Sequence, residues 1–208
     1  MATQDPISIH TAPIPAPSRG GRVLLHGVSW ETYEGMLQAL GDDHPSLRLT
    51  YLDGTLEITT TSPRHERLKK LIARLLEAWA EEANVRLDGY GAATFRSAAA
   101  KRGLEPDECY ALGELGAAPD LAIEVVETHG DIDKLEVYAG LGVREVWFWE
   151  AGQLRIHVLK GGSYVESTTS ELLPRLDVAE LVTFVREGDQ TAAVRAYRRT
   201  LRERGEGG

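Results

Sequence analysis

Cysteine is almost missing from this chain. Cys109 is the one thiol among 208 residues, which rules out an internal disulfide and a cysteine-built zinc site. Nothing around Cys109 marks an activated nucleophile, so it reads as a small half-buried thiol. Long apolar runs are missing too. No stretch approaches the ~20 residues of a membrane span, and the N-terminus lacks a basic-then-apolar leader pattern, so a cytoplasmic protein without membrane contact is expected. There is no internal repeat, no Gly-rich phosphate loop and no nucleophile elbow. No zinc-finger or helix-turn-helix pattern offers DNA sequence recognition. A basic excess is also lacking: the net charge is −9, the wrong sign for binding nucleic acid through overall charge.

The acidity, however, is local. Residues 105–150 carry twelve Asp and Glu against only Lys134 and Arg144, so the remainder of the chain is close to neutral. Carboxylates clustered without basic partners are a normal setting for a divalent cation. The plainer alternative is a solvated acidic loop, and that is the expectation for Glu108 and Glu114. At the centre of the segment stands Leu121-Ala122-Ile123-Glu124-Val125-Val126. Its alternate residues are apolar on both faces apart from Glu124, the pattern of a central strand covered on both sides. An ionised carboxylate there costs several kcal/mol (order of magnitude) unless a cation or good donors meet it.

Around this strand the elements follow from periodicity and punctuation. Residues 1–22, with Pro6, Pro13, Pro15, Pro17 and Gly20-Gly21, read as a flexible arm. A short helix opens at Ser29 and stops at Gly41. Asp53-Gly54 between two β-rich runs marks a hairpin with a type I′ turn, with Leu56 and Ile58 on one face and Glu57 on the other. Ser62-Pro63 caps the strongest helix, whose stripe of Leu68, Leu71, Ile72, Leu75, Leu76 and Trp79 is continued at its first turn by His65. Glu66 lies on the outer face and is expected to pair with Lys70. Ala93–Ala99 and Leu104–Ala111 read as extended runs on either side of a turn at Lys101-Arg102-Gly103. Asp131-Ile132-Asp133 caps a helix ending at Gly142, with Lys134, Tyr138 and Leu141 on one inward face. Three further strands follow as an antiparallel meander through Ser167, with Trp147 and Trp149 as packing residues. Leu172 to Val185 caps the core. Residues 191–208 form an Arg-rich helical tail, leaving 23–190 as the domain.

Two Pro-Asp pairs compete as partners of Glu124. Asp120 and Glu124 are four residues apart on one strand, ~13 Å along the backbone, whereas both ligands of a Mg²⁺ must lie ~2.1 Å from it. Asp107, on a preceding strand able to pair beside the central one, can bring its carboxylate next to Glu124. Asp107 and Glu124 are therefore the expected metal ligands, and Asp120 is expected to bind backbone or loop groups. Lys134, on the following helix, can orient and activate a water or stabilise charge developing on a phosphate.

The strings PDLAIEVVE, KLEVYAGLGV and REVWFW, together with DGTLEI, SPRHERLKKLIARLL and EPD at 105–107, resemble the Uma2 family of restriction-endonuclease-like proteins over roughly residues 28–185. The specificity lies in the order and spacing of these pieces rather than in any one of them. The resemblance implies the PD-(D/E)XK nuclease superfamily: an α/β (α+β) fold with a mixed β-sheet core flanked by helices, and a Mg²⁺- or Mn²⁺-dependent site that cleaves DNA. By position, Asp107 matches the aspartate of the Pro-Asp element and Glu124 the acid of the next strand. The superfamily's lysine normally follows two residues after that acid, but here Val126 stands there and Lys134 looks like its migrated replacement. His65, or secondarily Glu57, would be the additional residue from the first helix region. The expectation is a metal-dependent endonuclease with Asp107, Glu124, Lys134 and His65 at its site. Two strand cuts need two sites, which a homodimer would supply. The alternative is a catalytically inactive nuclease-fold module that binds or assembles.

Overall fold

In a computed structural model the described residues are 20–41, 44, 46–186 and 188–205. Most of the arm expected over 1–22 lies outside them, and Arg22 already begins a strand. That strand, β1 (Arg22–His26), was not anticipated. Next come helix α1 (Trp30–Leu40), the hairpin β2 (Leu47–Leu52) and β3 (Thr55–Thr60), and helix α2 (Pro63–Glu82). Short strands β4 (Asp88–Gly89), β5 (Phe95–Ser97), β6 (Arg102–Leu104) and β7 (Glu108–Ala111) lead to β8 (Leu121–Val126). Helix α3 (Lys134–Leu141) connects it to β9 (Glu145–Glu150), β10 (Gln153–Lys160) and β11 (Ser163–Ser167). Helices α4 (Val178–Phe184) and α5 (Gln190–Glu203) close the described chain.

Two sheets result. The first has the order β1-β3-β2-β6-β5 and pairs antiparallel throughout. The second, β11-β10-β9-β8-β7-β4, is antiparallel except for the β8–β9 pair, which α3 joins as a parallel crossover. This is the expected α+β architecture, a mixed sheet flanked by helices. The local signals act as the residues dictate. Asp53 (φ 43°) and Gly54 (φ 91°) both take the positive φ that a type I′ turn requires. Ser62 accepts a hydrogen bond from His65 N–H as N-cap, Asp133 caps α3, and Gly142 ends α3 in the left-handed conformation.

α3 lies between the sheets, with Val137 and Tyr138 packed among Leu104, Ala122 and Val146. The opposite face of the mixed sheet carries Tyr110, Ile123, Val125, Trp147 and Trp149, which pack against Leu71, Leu75 and Trp79 of α2. β8 is therefore covered on both sides, and its first five residues are buried. The outer face of the first sheet is closed by α1 through Tyr33, Tyr51 and Leu56.

Three expectations need correction. The run Leu104–Ala111 is not one strand: Leu104 ends β6 in the first sheet and Glu108 begins β7 in the second, so the chain changes sheets at residues 105–107. Glu108 is not on a solvated loop but buried at 7 % exposure, because its side chain follows Ile123 to the α2 side of the sheet. Glu66 pairs with Lys69 at 2.7 Å rather than with Lys70. The expected Arg-rich helix is α5, and its Ala193, Val194, Tyr197 and Leu201 belong to the same buried cluster as α2. Arg198 and Arg202 are held by Glu82 at 3.0 and 2.6 Å.

Candidate active site

Asp107 sits at the change of sheets, one residue before β7. The β7–β8 register pairs Glu108 with Ile123, and one further step sets Asp107 opposite Glu124. Residues directly opposite in an antiparallel pair share a face with Cβ atoms ~5 Å apart. Both are buried, at 4 % and 1 % exposure. The Asp107 carboxylate is anchored by Val125 N–H, which donates to Oδ2 at 2.8 Å. His65 Nε2 lies 3.0 Å from the same oxygen. Among the described residues no donor reaches Oδ1.

Helix α3 supplies the partners of Glu124. Lys134 Nζ donates to Oε2 at 2.7 Å, and Tyr138, one turn later on the same face, donates to Oε1. Each carboxylate oxygen thus takes one donor from a single helix. The sequence placed Tyr138 inward but left its hydroxyl without a role. The usable signal was that a phenol buried in a core needs a partner, and Glu124 was the buried acceptor in need of a donor.

The charges are mutually dependent. Burial works against ionisation of Asp107, but the hydrogen bond and charge of His65, the charge of Lys134 and the Val125 N–H outweigh it and hold the carboxyl below its ordinary range. Glu124 moves the other way. Burial pushes it up, Lys134 and Tyr138 offset only part of this, and the neighbouring Asp107 adds to the rise. Burial also opposes the charge on Lys134, yet Glu124, Asp107 and Glu57 together raise its pKa. For His65, burial is outweighed by Asp107, and its pKa is raised.

Glu57 reaches across from the first sheet. Its Oε2 accepts from Asp131 N–H at 2.7 Å and more weakly from Ile132 N–H at 3.4 Å. It thereby fixes the loop that carries the cap of α3. A Cβ at Gly130 would lie 2.7 Å from Glu57 Oε1, so a side chain there would push the end of Glu57 out of its present position. Asp120 lies elsewhere, accepting from Leu112 N–H at 2.9 Å and from Arg144 at 3.1 Å. The structure therefore brings Asp107, Glu124, Lys134 and His65 together, with Glu57 at the rim and Asp120 away from them.

A cleft of about 460 Å³ is lined among others by Glu57, His65, Asp107, Lys134, Phe148 and Arg155, while Glu124 stays buried beneath it. Among the described residues no three His, Cys, Asp or Glu side chains converge as a complete metal cage. The donor set nevertheless suits a hard divalent cation, which takes oxygen ligands and keeps several waters: two opposed carboxylates, one with an oxygen that no protein donor occupies.

The family model described as "Putative restriction endonuclease", Uma2, matches residues 30–193. The chain belongs to the Uma2 family. The match spans the strand–helix–strand unit with Asp107, Glu124 and Lys134, and it takes in α1 and α2 as well as the start of α5. No curated protein matches the chain. No helix among the described residues is long and apolar enough to cross a membrane.

Proposed function

We propose that this Uma2 protein is an endonuclease that hydrolyses phosphodiester bonds of DNA with the help of Mg²⁺ or Mn²⁺. The observation that carries the reading is the convergence of Asp107, Glu124 and Lys134: Asp107 and Lys134 line an open cleft, and the lysine reaches 2.7 Å to Glu124 buried beneath it. Asp107 and Glu124 would hold the cation, whose chemistry when bound is to polarise the phosphoryl oxygen and lower the pKa of water. Lys134 lies where an ammonium can orient the attacking water or stabilise charge developing on the phosphate. His65 and Tyr138 are positioning residues, each fixing one carboxylate by a hydrogen bond.

The test is cleavage of plasmid and single-stranded DNA with Mg²⁺ or Mn²⁺, wild type beside Asp107→Ala, Glu124→Ala and Lys134→Ala. Cation-dependent cutting lost in all three variants is expected. Cutting that survives Asp107→Ala but not Asp120→Ala would overturn the ligand assignment. One observation favours a second reading, an inactive nuclease-fold binding module: both oxygens of Glu124 are already occupied, by Lys134 and Tyr138. On that reading a folded wild type cuts no substrate and binds no Mn²⁺ by calorimetry.

A further inference from the structure

The strand registers extend the site sideways. Glu124 pairs with Phe148 across β8–β9, and Phe148 pairs with Arg155 across β9–β10. Asp107, just before β7, and Glu124, Phe148 and Arg155 on β8, β9 and β10 therefore form one row on one face of the sheet; Asp107, Phe148 and Arg155 line the cleft, and Glu124 is buried beneath it. Two strand spacings separate Arg155 from Glu124, ~10 Å. His157, two residues on from Arg155, meets Phe148 edge-on with ring centroids 5.4 Å apart.

Resting on the nuclease reading above, we infer that Phe148 and Arg155 form a strand-binding subsite beside the cleavage centre, and that the cleft takes an unpaired DNA strand rather than intact duplex. Three properties of the row support this. Arg155 is exposed and, among the described residues, restrained only by a loose contact with Glu150 at 3.7 Å, so its guanidinium can turn to a phosphate at little cost. Phe148 is half-buried and lines the cleft, where an aromatic side chain offers a base a surface to stack on. The cleft volume of about 460 Å³ is that of a small-molecule pocket, room for one or two nucleotides, whereas a duplex would have to remain outside it. The row thus alternates a centre for phosphate chemistry, an apolar ring and a cation, matching the alternation of phosphate and base along one strand.

The test is fluorescence anisotropy with a labelled oligothymidine and the corresponding duplex, in EDTA and in Ca²⁺, across a salt series. Wild type is compared with Arg155→Ala, Phe148→Leu and Arg199→Ala. Arg199 lies on α5, on the far side of the mixed sheet, and serves as a control for general charge. Thermal melts establish that each variant is folded. Arg155→Ala is expected to weaken single-strand binding and to reduce the salt slope by about 0.7, the value for one phosphate contact. Phe148→Leu is expected to weaken binding about tenfold with the slope unchanged. Unchanged affinity and slope in both variants, equal losses in Arg199→Ala, duplex bound as tightly as single strand, or no DNA binding by wild type would each overturn the inference. The cleavage assay is read separately. Binding losses without any cutting by wild type keep the subsite and refute the hydrolysis, while cutting with unaffected binding in both variants does the reverse.

Discussion

Replacing Lys134 by methionine retains most of the stem and removes the ammonium from Glu124. Glu124 is 1 % exposed and, among the described residues, would keep only the Tyr138 hydroxyl as a donor. Removing one partner of a buried ion pair costs ~3–5 kcal/mol. The Lys134 side chain retains 31 % exposure, so water already screens the ammonium and a loss of about 2–3 kcal/mol is expected. The loss should depend on pH, and the sign is determined. Burial already raises the Glu124 pKa, and removing Lys134 raises it further. Between the unfolded and folded values the native state binds more protons than the unfolded state. Stability of the variant therefore falls as pH rises through that window, by at most ~1.4 kcal/mol per pH unit. The penalty relative to wild type is small near the ordinary glutamate value and largest at neutral pH. Adding Glu124→Gln removes the stranded charge, so the double variant should recover at least ~1 kcal/mol over the sum of the single losses. Urea unfolding followed by tryptophan fluorescence at about pH 5, 6, 7 and 8 measures all of this. A penalty that is flat across this range, or single losses that simply add, would refute the reasoning.

Three further outcomes follow from other parts of the fold. Glu145 is fully buried and accepts from Trp147 Nε1, Ser170 Oγ and the N–H groups of Glu171 and Leu172, so a glutamine there sets an amide NH₂ against at least one fixed donor. Glu145→Gln should cost about 2–4 kcal/mol in urea unfolding, and a loss below ~1 kcal/mol would contradict the clamp. Burial pushes the Cys109 thiol up to about 12, and its Sγ donates to Gly91 O at 3.2 Å; a thiol-reactive dye should label the native protein only at the rate of unfolding, and rapid labelling would contradict this. Gly54→Ala forces an L side chain to φ 91° and should lower stability by about 1–2 kcal/mol in a thermal melt.

Where a residue's chemistry is local, the sequence was sufficient. Ser62-Pro63, Asp53-Gly54, Asp133 and Gly142 set element ends through backbone geometry that neighbouring residues alone determine. That Asp107 rather than Asp120 lies beside Glu124 was also legible, because strand rise fixes how far apart two residues of one strand lie. What escaped was long-range pairing. Strand β1 has an exposed face with Val23 54 % and Leu25 39 % accessible, so its existence depends on hydrogen bonds to β3 rather than on a buried stripe. The break between β6 and β7 is a choice of partner strands, which extended character alone does not encode. Glu108 read as a surface acid because α2, the helix on its side of the sheet, lies far from it in sequence. The grip of α3 on Glu124 was half visible: the charge of Lys134 announced it, and the hydroxyl of Tyr138 completed it.

The contact between Glu57 and Gly130 has a consequence for how this chain can drift in evolution. The glutamate fills the space that any side chain at 130 would occupy, and the bare backbone at 130 is what lets the glutamate reach the following N–H groups. A side chain at 130 would push the carboxylate aside and weaken its hold on those N–H groups. Relatives that shorten position 57 should be the ones that admit bulk at position 130, and the two substitutions should travel together through the lineage.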